Sequence, residues 1–400
     1  MVVQSGTAND FDVVHIHPYK VKLVTKRIIQ FGTSRFLQAH ADLFIHQARE
    51  AGQDIGPITV VKSTSGNDRI GRVTELAKPE GYPVIIRGMV NKQVIDETYT
   101  VKCVDSSLIA DRDWVELQRL FVHEAQVVIS NVSESGYDVP TDDMVSEPVF
   151  GHVPSSFPAK LLSLLKSRFD GEGQPILILP CELVSDNGQV LRGILNRLAE
   201  SWRLSEQFRV WLDEKVIICD TLVDRIVSEA IEPIGAIGEP YALWAIKRDA
   251  RYEIPFSHPS IVLTDDLEPF LRLKLHILNL GHSFLADIWK REQRPTHETV
   301  LQMLDETIIK QRLLNLYRNE VVPGFASHGF RKDSENYVEK TIEQFQNPFL
   351  NHRVSDIFQN HNIKIERRVL AFIKWVRLVN PSAQFGQLEA LVNHNGLSAV

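Results

Sequence analysis

Apolar and polar positions follow two regimes along this chain. In the first half, short apolar runs alternate with amphipathic stretches. "RIIQF" (27–31), "ITVVKS" (58–63), "AQVVISNVS" (125–133) and "PILILPCEL" (175–183) read as strands. Between them "SRFLQAHADLFIHQARE" (34–50), a segment near 113–121, "FPAKLLSLLKSRF" (157–169) and "GQVLRGILNRLAESW" (188–202) carry helical periodicity. Strands that are apolar throughout, rather than at every second position, belong to a parallel sheet covered on both faces. "YPVIIRGM" and "YTVKCVD" flank "VNKQVIDE" and predict an antiparallel excursion from that sheet. After about residue 226 the texture changes. "EPYALWAIK" and "SIVLTDDLEPF" are short extended pieces, and from 267 helical periodicity dominates, broken at Pro323, Gly324 and Pro348.

Four hundred residues exceed what one hydrophobic core usually organises. The expectation is an α/β fold: a Rossmann-like, doubly wound parallel sheet domain over 1–225, then a mostly α-helical substrate-binding and catalytic domain over 226–400. The first strand ends at Gly32, in "IIQFGTSRFLQAH", where a dinucleotide fold needs a tight turn and helix amides facing a pyrophosphate. The G-x-G-x-x-G pattern is incomplete, with Ser34 and Leu37 in its second and third glycine positions. After the second strand, Lys62 with Ser63, Thr64 and Ser65 stands where an acidic residue would hold the adenosine ribose, which leaves NADP open beside NAD.

Composition narrows the classes. With 44% hydrophobic and 24% charged residues and a net charge of −7, the chain reads as an ordinary globule rather than a nucleic-acid or anionic-membrane binder. No run approaches the ~18 apolar residues of a membrane span, and the first twenty residues have no secretory pattern. Cys103, Cys181 and Cys219 are odd in number and form no CxxC pair. A cytoplasmic setting is expected; the oligomeric state is not readable.

The chemistry concentrates in "KLHILNLGH" (274–282). At ~100° per residue of α-helix, Lys274, His282 and Asn279 fall near 0°, 80° and 140°, on one side of the helix. A lysine held out of water can exchange a hydroxyl proton near neutral pH, while an amide and an imidazole stabilise the oxyanion of alcohol–carbonyl interconversion. A snorkelling lysine, a helix-end asparagine and a packed histidine fit the spacing equally well. No HExxH and no clustered Cys/His set supports a zinc enzyme.

"DDLEPFLRLKLHILNLGHSFLADI" resembles the long-chain polyol-specific, or mannitol, dehydrogenase family, whose signature is K-x-x-x-x-N-x-x-H. "IIQFGTSRFLQAH", "ISNVSESGY", "PCELVSDNG", "TLVDRIV", "EPYALWAIK" and "FQNPFLNH" extend the resemblance, in family order, over roughly 27 to 370. Within the family the chain is most similar to the hexuronate branch, that of tagaturonate reductase (altronate oxidoreductase); mannitol enzymes show an "SCDN" type where this chain has "PCEL". The resemblance implies a metal-free, nicotinamide-dependent oxidoreductase acting on a small sugar acid or polyol. Lys274 matches the acid/base, and Asn279 and His282 the oxyanion pair. Gly32, Thr33, Ser34, Phe36, Lys62, Asn131 and Glu134 are the expected cofactor contacts. Glu182, Asn187, Lys364 and Arg368 are the expected substrate contacts, with Arg225 of "TLVDRI" bracing the domains. Alternatives are a mannitol or other polyol 2-dehydrogenase acting on fructose, a fructuronate reductase, or a catalytically silent nucleotide-binding regulator.

Overall fold

A computed structural model describes residues 27–64, 66, 70–132, 134–145 and 152–398. Its strands, in chain order, are β1 (Arg27–Phe31), β2 (Ile58–Lys62), β3 (Tyr82–Val90), β4 (Gln93–Val101), β5 (Val104–Ile109), β6 (Ala125–Ser130), β7 (Ile176–Pro180) and β8 (Val216–Ile218). They are followed by β9 (Thr221–Asp224), β10 (Val227–Ala230), β11 (Ala236–Gly238), β12 (Leu243–Lys247) and β13 (Ile261–Thr264). Six of them form one sheet in the order β5-β2-β1-β6-β7-β8, every pairing parallel.

The apolar runs explain that sheet. Ile28, Val60, Val127 and Leu177 pack into one core and Ile29, Val61, Val128 and Ile178 into another. Neighbouring residues on each strand point to opposite faces, and both faces are covered by helices. Strand order reverses between β1 and β6, which opens a crevice at the carboxyl ends of those two strands.

The antiparallel excursion is the β3–β4 hairpin. Its turn residues Asn91 and Lys92 both adopt positive φ, 50° and 63°, as a two-residue type I′ turn requires. With β10 and β11 it makes a four-stranded sheet, while β13, β12 and β9 make a three-stranded one. From Glu268 the chain is helical apart from connections and packs a separate core around Leu280, Leu285, Leu313 and Phe372. No helix among the described residues is long and apolar enough to cross a membrane.

Candidate active site

Gly32 occupies the crevice with φ +121°, and a Cβ there would lie 2.6 Å from the carbonyl oxygen of Asn131. Only glycine lets the β1 turn approach β6 so closely. Ser34 caps the helix that follows, accepting from the Leu37 amide at 3.2 Å, and its hydroxyl donates to Asn131 Oδ1 at 2.9 Å. The Asn131 amide donates onward to the Cys181 carbonyl at 2.7 Å. Asn131 therefore ties the ends of β1, β6 and β7 together. Thr33 lies in the turn, and Phe36 packs on His40 with ring centroids 4.6 Å apart. Apart from the Leu37 amide held by Ser34, the first amides of this helix have no carbonyl one turn back, and a helix start beside the crevice suits a pyrophosphate. The Glu134 side chain lies outside the described residues.

Three expected contacts are engaged elsewhere. Lys62 is 4% exposed and donates to the carbonyls of Thr64, at 2.6 Å, and Gly66, at 3.0 Å. Its ammonium fastens its own loop instead of facing a ribose. Asn187 is wholly buried, its amide donating to Pro180, Glu182 and Thr221 while its oxygen accepts from the Thr221 amide at 2.9 Å. It is a strut between β7 and β9, with no group left for substrate. Glu182 borders the cleft described next, but its buried carboxylate accepts from Ser130 Oγ, the Val132 amide and the Tyr137 hydroxyl at 3.0–3.1 Å. Burial pushes that carboxyl above its ordinary range, against those three donors. Its role is to hold the loop after β6.

A cleft of about 400 Å³ lies between the loop after β7 and the helix that starts at Glu268. Lys274, His276 and Asn279 line its helical wall; Leu183 and Val223 line the opposite one. The wall is not a plain α-helix. Lys274–Asn279 is a π turn, with the Leu280 amide reaching back five residues to the Leu275 carbonyl. An i→i+5 turn stacks Lys274 over Asn279 more closely than α-helical spacing predicts. Tyr317, at the end of the helix Thr307–Leu316, clamps this turn, its hydroxyl donating to the Ile277 carbonyl at 2.9 Å.

Lys274 Nζ stands 2.8 Å from Asp224 Oδ1 and donates to the Val223 carbonyl at 3.3 Å. The lysine side chain is 23% exposed and the aspartate 9%, so the ammonium is held by a buried carboxylate yet opens to the cleft. A merely snorkelling lysine would point its charge to open water. Tyr337 donates to the other carboxylate oxygen, Oδ2, at 3.3 Å. Asp224 does not pair with its neighbour. Arg225 is instead a brace, donating to the carbonyls of Ala39, Pro240 and Tyr241.

Asn279 shares the cleft, but His282 does not. The His282 ring is 6% exposed, packed on Phe345 and His352 with centroids 4.4 and 4.7 Å away. It meets a separate void of only about 10 Å³. Burial, reinforced by the charges of Arg368 and Lys364, holds its imidazole well below the usual histidine range, so it is neutral. Its buried Nε2 has no partner among the described residues. Arg368 lies behind Asn279, donating to the Asn279 carbonyl and to Ser283 Oγ, both at 3.1 Å. Lys364, one turn earlier, donates to the Ile357 carbonyl at 2.7 Å.

The reading from sequence missed Asp224 as the partner of Lys274, and with it Tyr337 and His352. An ammonium in an apolar helix needs an acid, but nothing local in the sequence says that Asp224 of "TLVDRI", fifty residues earlier, supplies it.

Altronate oxidoreductase of Halalkalibacterium halodurans is 27% identical over 405 residues, covering 94% of this chain and 76% of that protein. Altronate oxidoreductase of Bacillus subtilis is 26% identical over 375 residues, covering 87% and 75%. Among solved structures, D-sorbitol dehydrogenase in substrate-free form superposes with a TM-score of 0.75 at 16% identity, covering 93% of this chain and 79% of that one. Mannitol 2-dehydrogenase of Pseudomonas fluorescens, in ternary complex with NAD and D-mannitol, gives 0.66 at 16% identity over 94% and 80%. With the mannitol dehydrogenase Rossmann domain matched over 26–255 and its C-terminal domain over 266–393, the chain belongs to the mannitol dehydrogenase family.

Proposed function

We propose that the chain, an NAD-dependent oxidoreductase of CH–OH groups, interconverts a secondary alcohol and a ketone on an open-chain hexuronate of the tagaturonate/altronate type. The observation that carries this reading is the Lys274 ammonium, fixed 2.8 Å from Asp224 and open to the same cleft as Asn279. In reduction Lys274 gives its proton to the carbonyl oxygen; in oxidation the neutral amine takes it back. Asn279 donates to the oxygen while negative charge gathers there. Lys supplies the proton transfer that a metal-bound oxygen would otherwise handle, so no metal ion is needed. The nicotinamide, when bound, supplies or accepts the hydride. The turn Gly32-Thr33-Ser34, with Phe36 beside it, holds the cofactor from the nucleotide domain.

Two features support a sugar acid as substrate. Arg368 places positive charge behind Asn279, with Lys364 one turn earlier and both near His282, and a uronate carboxylate that reached them would pair through charge-assisted bonds. The altronate oxidoreductases also align over most of the chain at 26–27% identity. The deciding experiment measures NADH and NADPH oxidation with tagaturonate, fructuronate and fructose. Turnover of tagaturonate with NADH supports the reading; turnover of fructose alone makes the chain a polyol 2-dehydrogenase. A cofactor bound without turnover of any ketone makes it a binding protein. Activity lost on chelation and restored by zinc overturns the metal-free chemistry.

A further inference from the structure

His276 has a place in the cleft that the proton chemistry of Lys274 and Asn279 does not use. It lies between them in the π turn and lines the same space, although only 1% of it is exposed. Its ring packs nearly flat on Trp375, with centroids 6.2 Å apart at 15°, and against Phe372 at 5.3 Å. Nδ1 stands 2.9 Å from the carbonyl oxygen of Arg368. A carbonyl oxygen only accepts, so Nδ1 carries the hydrogen. Burial, helped by the charge of Arg272, pushes the imidazole down to about 4, against the pull of that carbonyl. Near neutral pH the ring therefore holds one proton, and Nε2 is a bare acceptor. Nε2 has no hydrogen-bond partner among the described residues and, unlike Nε2 of His282, is not sealed within the packing. Arg368 thus acts twice. Its guanidinium holds the Asn279 carbonyl and Ser283, and its own carbonyl fixes the tautomer of His276.

We propose that His276 is a specificity-determining residue whose Nε2 accepts a hydrogen bond from a substrate hydroxyl other than the one at the reacting carbon. The proposal rests on the cleft of Lys274 being the substrate site. An acceptor that the protein leaves without a donor asks for one from the ligand. A sugar hydroxyl supplies it, whereas a carboxylate, which at neutral pH only accepts, is turned away. His276 therefore orients a sugar acid as well as selecting a polyhydroxy chain. It draws the hydroxylated stretch against the π turn and keeps the carboxylate from it. A ligand without that hydroxyl leaves a nearly buried acceptor unpaired, which lowers kcat/KM about tenfold to 10²-fold. Packing on Trp375 and Phe372 needs neither nitrogen, and the Arg368 contact occupies only Nδ1.

The test compares tagaturonate with analogues that each lack one hydroxyl, using NADH and the full chain as wild type, His276→Asn and His276→Gln. Asparagine keeps an N–H near the place of Nδ1 and removes the acceptor; glutamine carries an amide oxygen out toward the place of Nε2. In wild type one analogue should lose about tenfold to 10²-fold in kcat/KM. His276→Asn should lose as much with tagaturonate itself, mostly in KM, and should no longer distinguish tagaturonate from that analogue. His276→Gln should recover part of the distinction, and both variants should bind NADH as wild type does. If wild type tolerates the loss of every hydroxyl, the proposal is refuted without recourse to a variant. It is equally refuted if His276→Asn ranks the analogues as wild type does. Should wild type reduce fructose and not tagaturonate, the hexuronate reading alone falls, and the same series on fructose decides the role of His276. An active Lys274→Ala enzyme removes the cleft as the reaction site, and this proposal with it.

Discussion

One helix meets two very different spaces within nine residues. At Lys274 and Asn279 it borders a cleft of about 400 Å³; at His282 it is sealed against Phe345 and His352 around a void of about 10 Å³. The K-x-x-x-x-N-x-x-H spacing joins these residues on paper, but the fold gives them different surroundings. Lys274 has a carboxylate beside it, whereas His282 is neutral because burial, His352 and two nearby cations oppose its protonation. Position along a helix does not set a role; the space each side chain enters does.

The sharpest way to break this contrast is Lys274→Ala. It should lower kcat by roughly 10²–10⁴-fold, the usual worth of general acid–base catalysis, while NADH binding measured by fluorescence titration is unchanged. Asn279→Ala should cost about 10²-fold in kcat, as loss of one oxyanion donor does. His282→Ala should cost less in kcat than Asn279→Ala and more in melting temperature, because it empties a packed site; equal kcat losses would mean that the His282 void opens to substrate during turnover.

Gly281→Ala probes the clamp between the two spaces, since its Cβ would fall 1.9 Å from the Tyr317 hydroxyl. Overpacking of about 1–3 kcal/mol is expected, read as a lower denaturation midpoint, with kcat falling as the π turn loses Tyr317. The smallest effect is a pH slope. Burial pushes the Glu239 carboxyl up to about 8 from 4.5. The folded chain therefore keeps a proton that the unfolded chain has released, and that stabilisation is whole below the unfolded value and lost as pH rises through about 8. Glu239→Gln cannot titrate, so its melting temperature should gain on wild type between about pH 5 and 8. A constant difference across that window would refute the assignment.

Much of the fold was legible because parallel strands buried on both faces are continuous apolar runs, as β1, β2 and β7 are. β8 was not, since three residues carry no period. In the site, Lys274 and Asn279 were legible as residue types and their placement was not. Counting α-helical angles put them about 140° apart, and nothing in "KLHILN" marks a π turn, which follows from packing against Tyr317 and neighbouring helices. Asp224 as the lysine's partner depends on a contact across fifty residues of chain, which local patterning cannot reveal. Lys62 and Asn187 are engaged within the fold in a way the sequence does not show, for a related reason. Polar residues at strand ends serve ligands or loops, and only the hydrogen-bond partners tell which.

The π turn also makes the site sensitive to chain length. A π turn holds one residue more than an α turn, so deleting Leu275 would let the helix close with ordinary i→i−4 bonds while the helix after it kept its phase. Gly281 would stay against the Tyr317 hydroxyl and His282 against Phe345, and only the spacing of Lys274 to Asn279 along the cleft would change. Libraries that vary side chains here explore chemistry, whereas those that permit single-residue gaps explore the geometry of the wall.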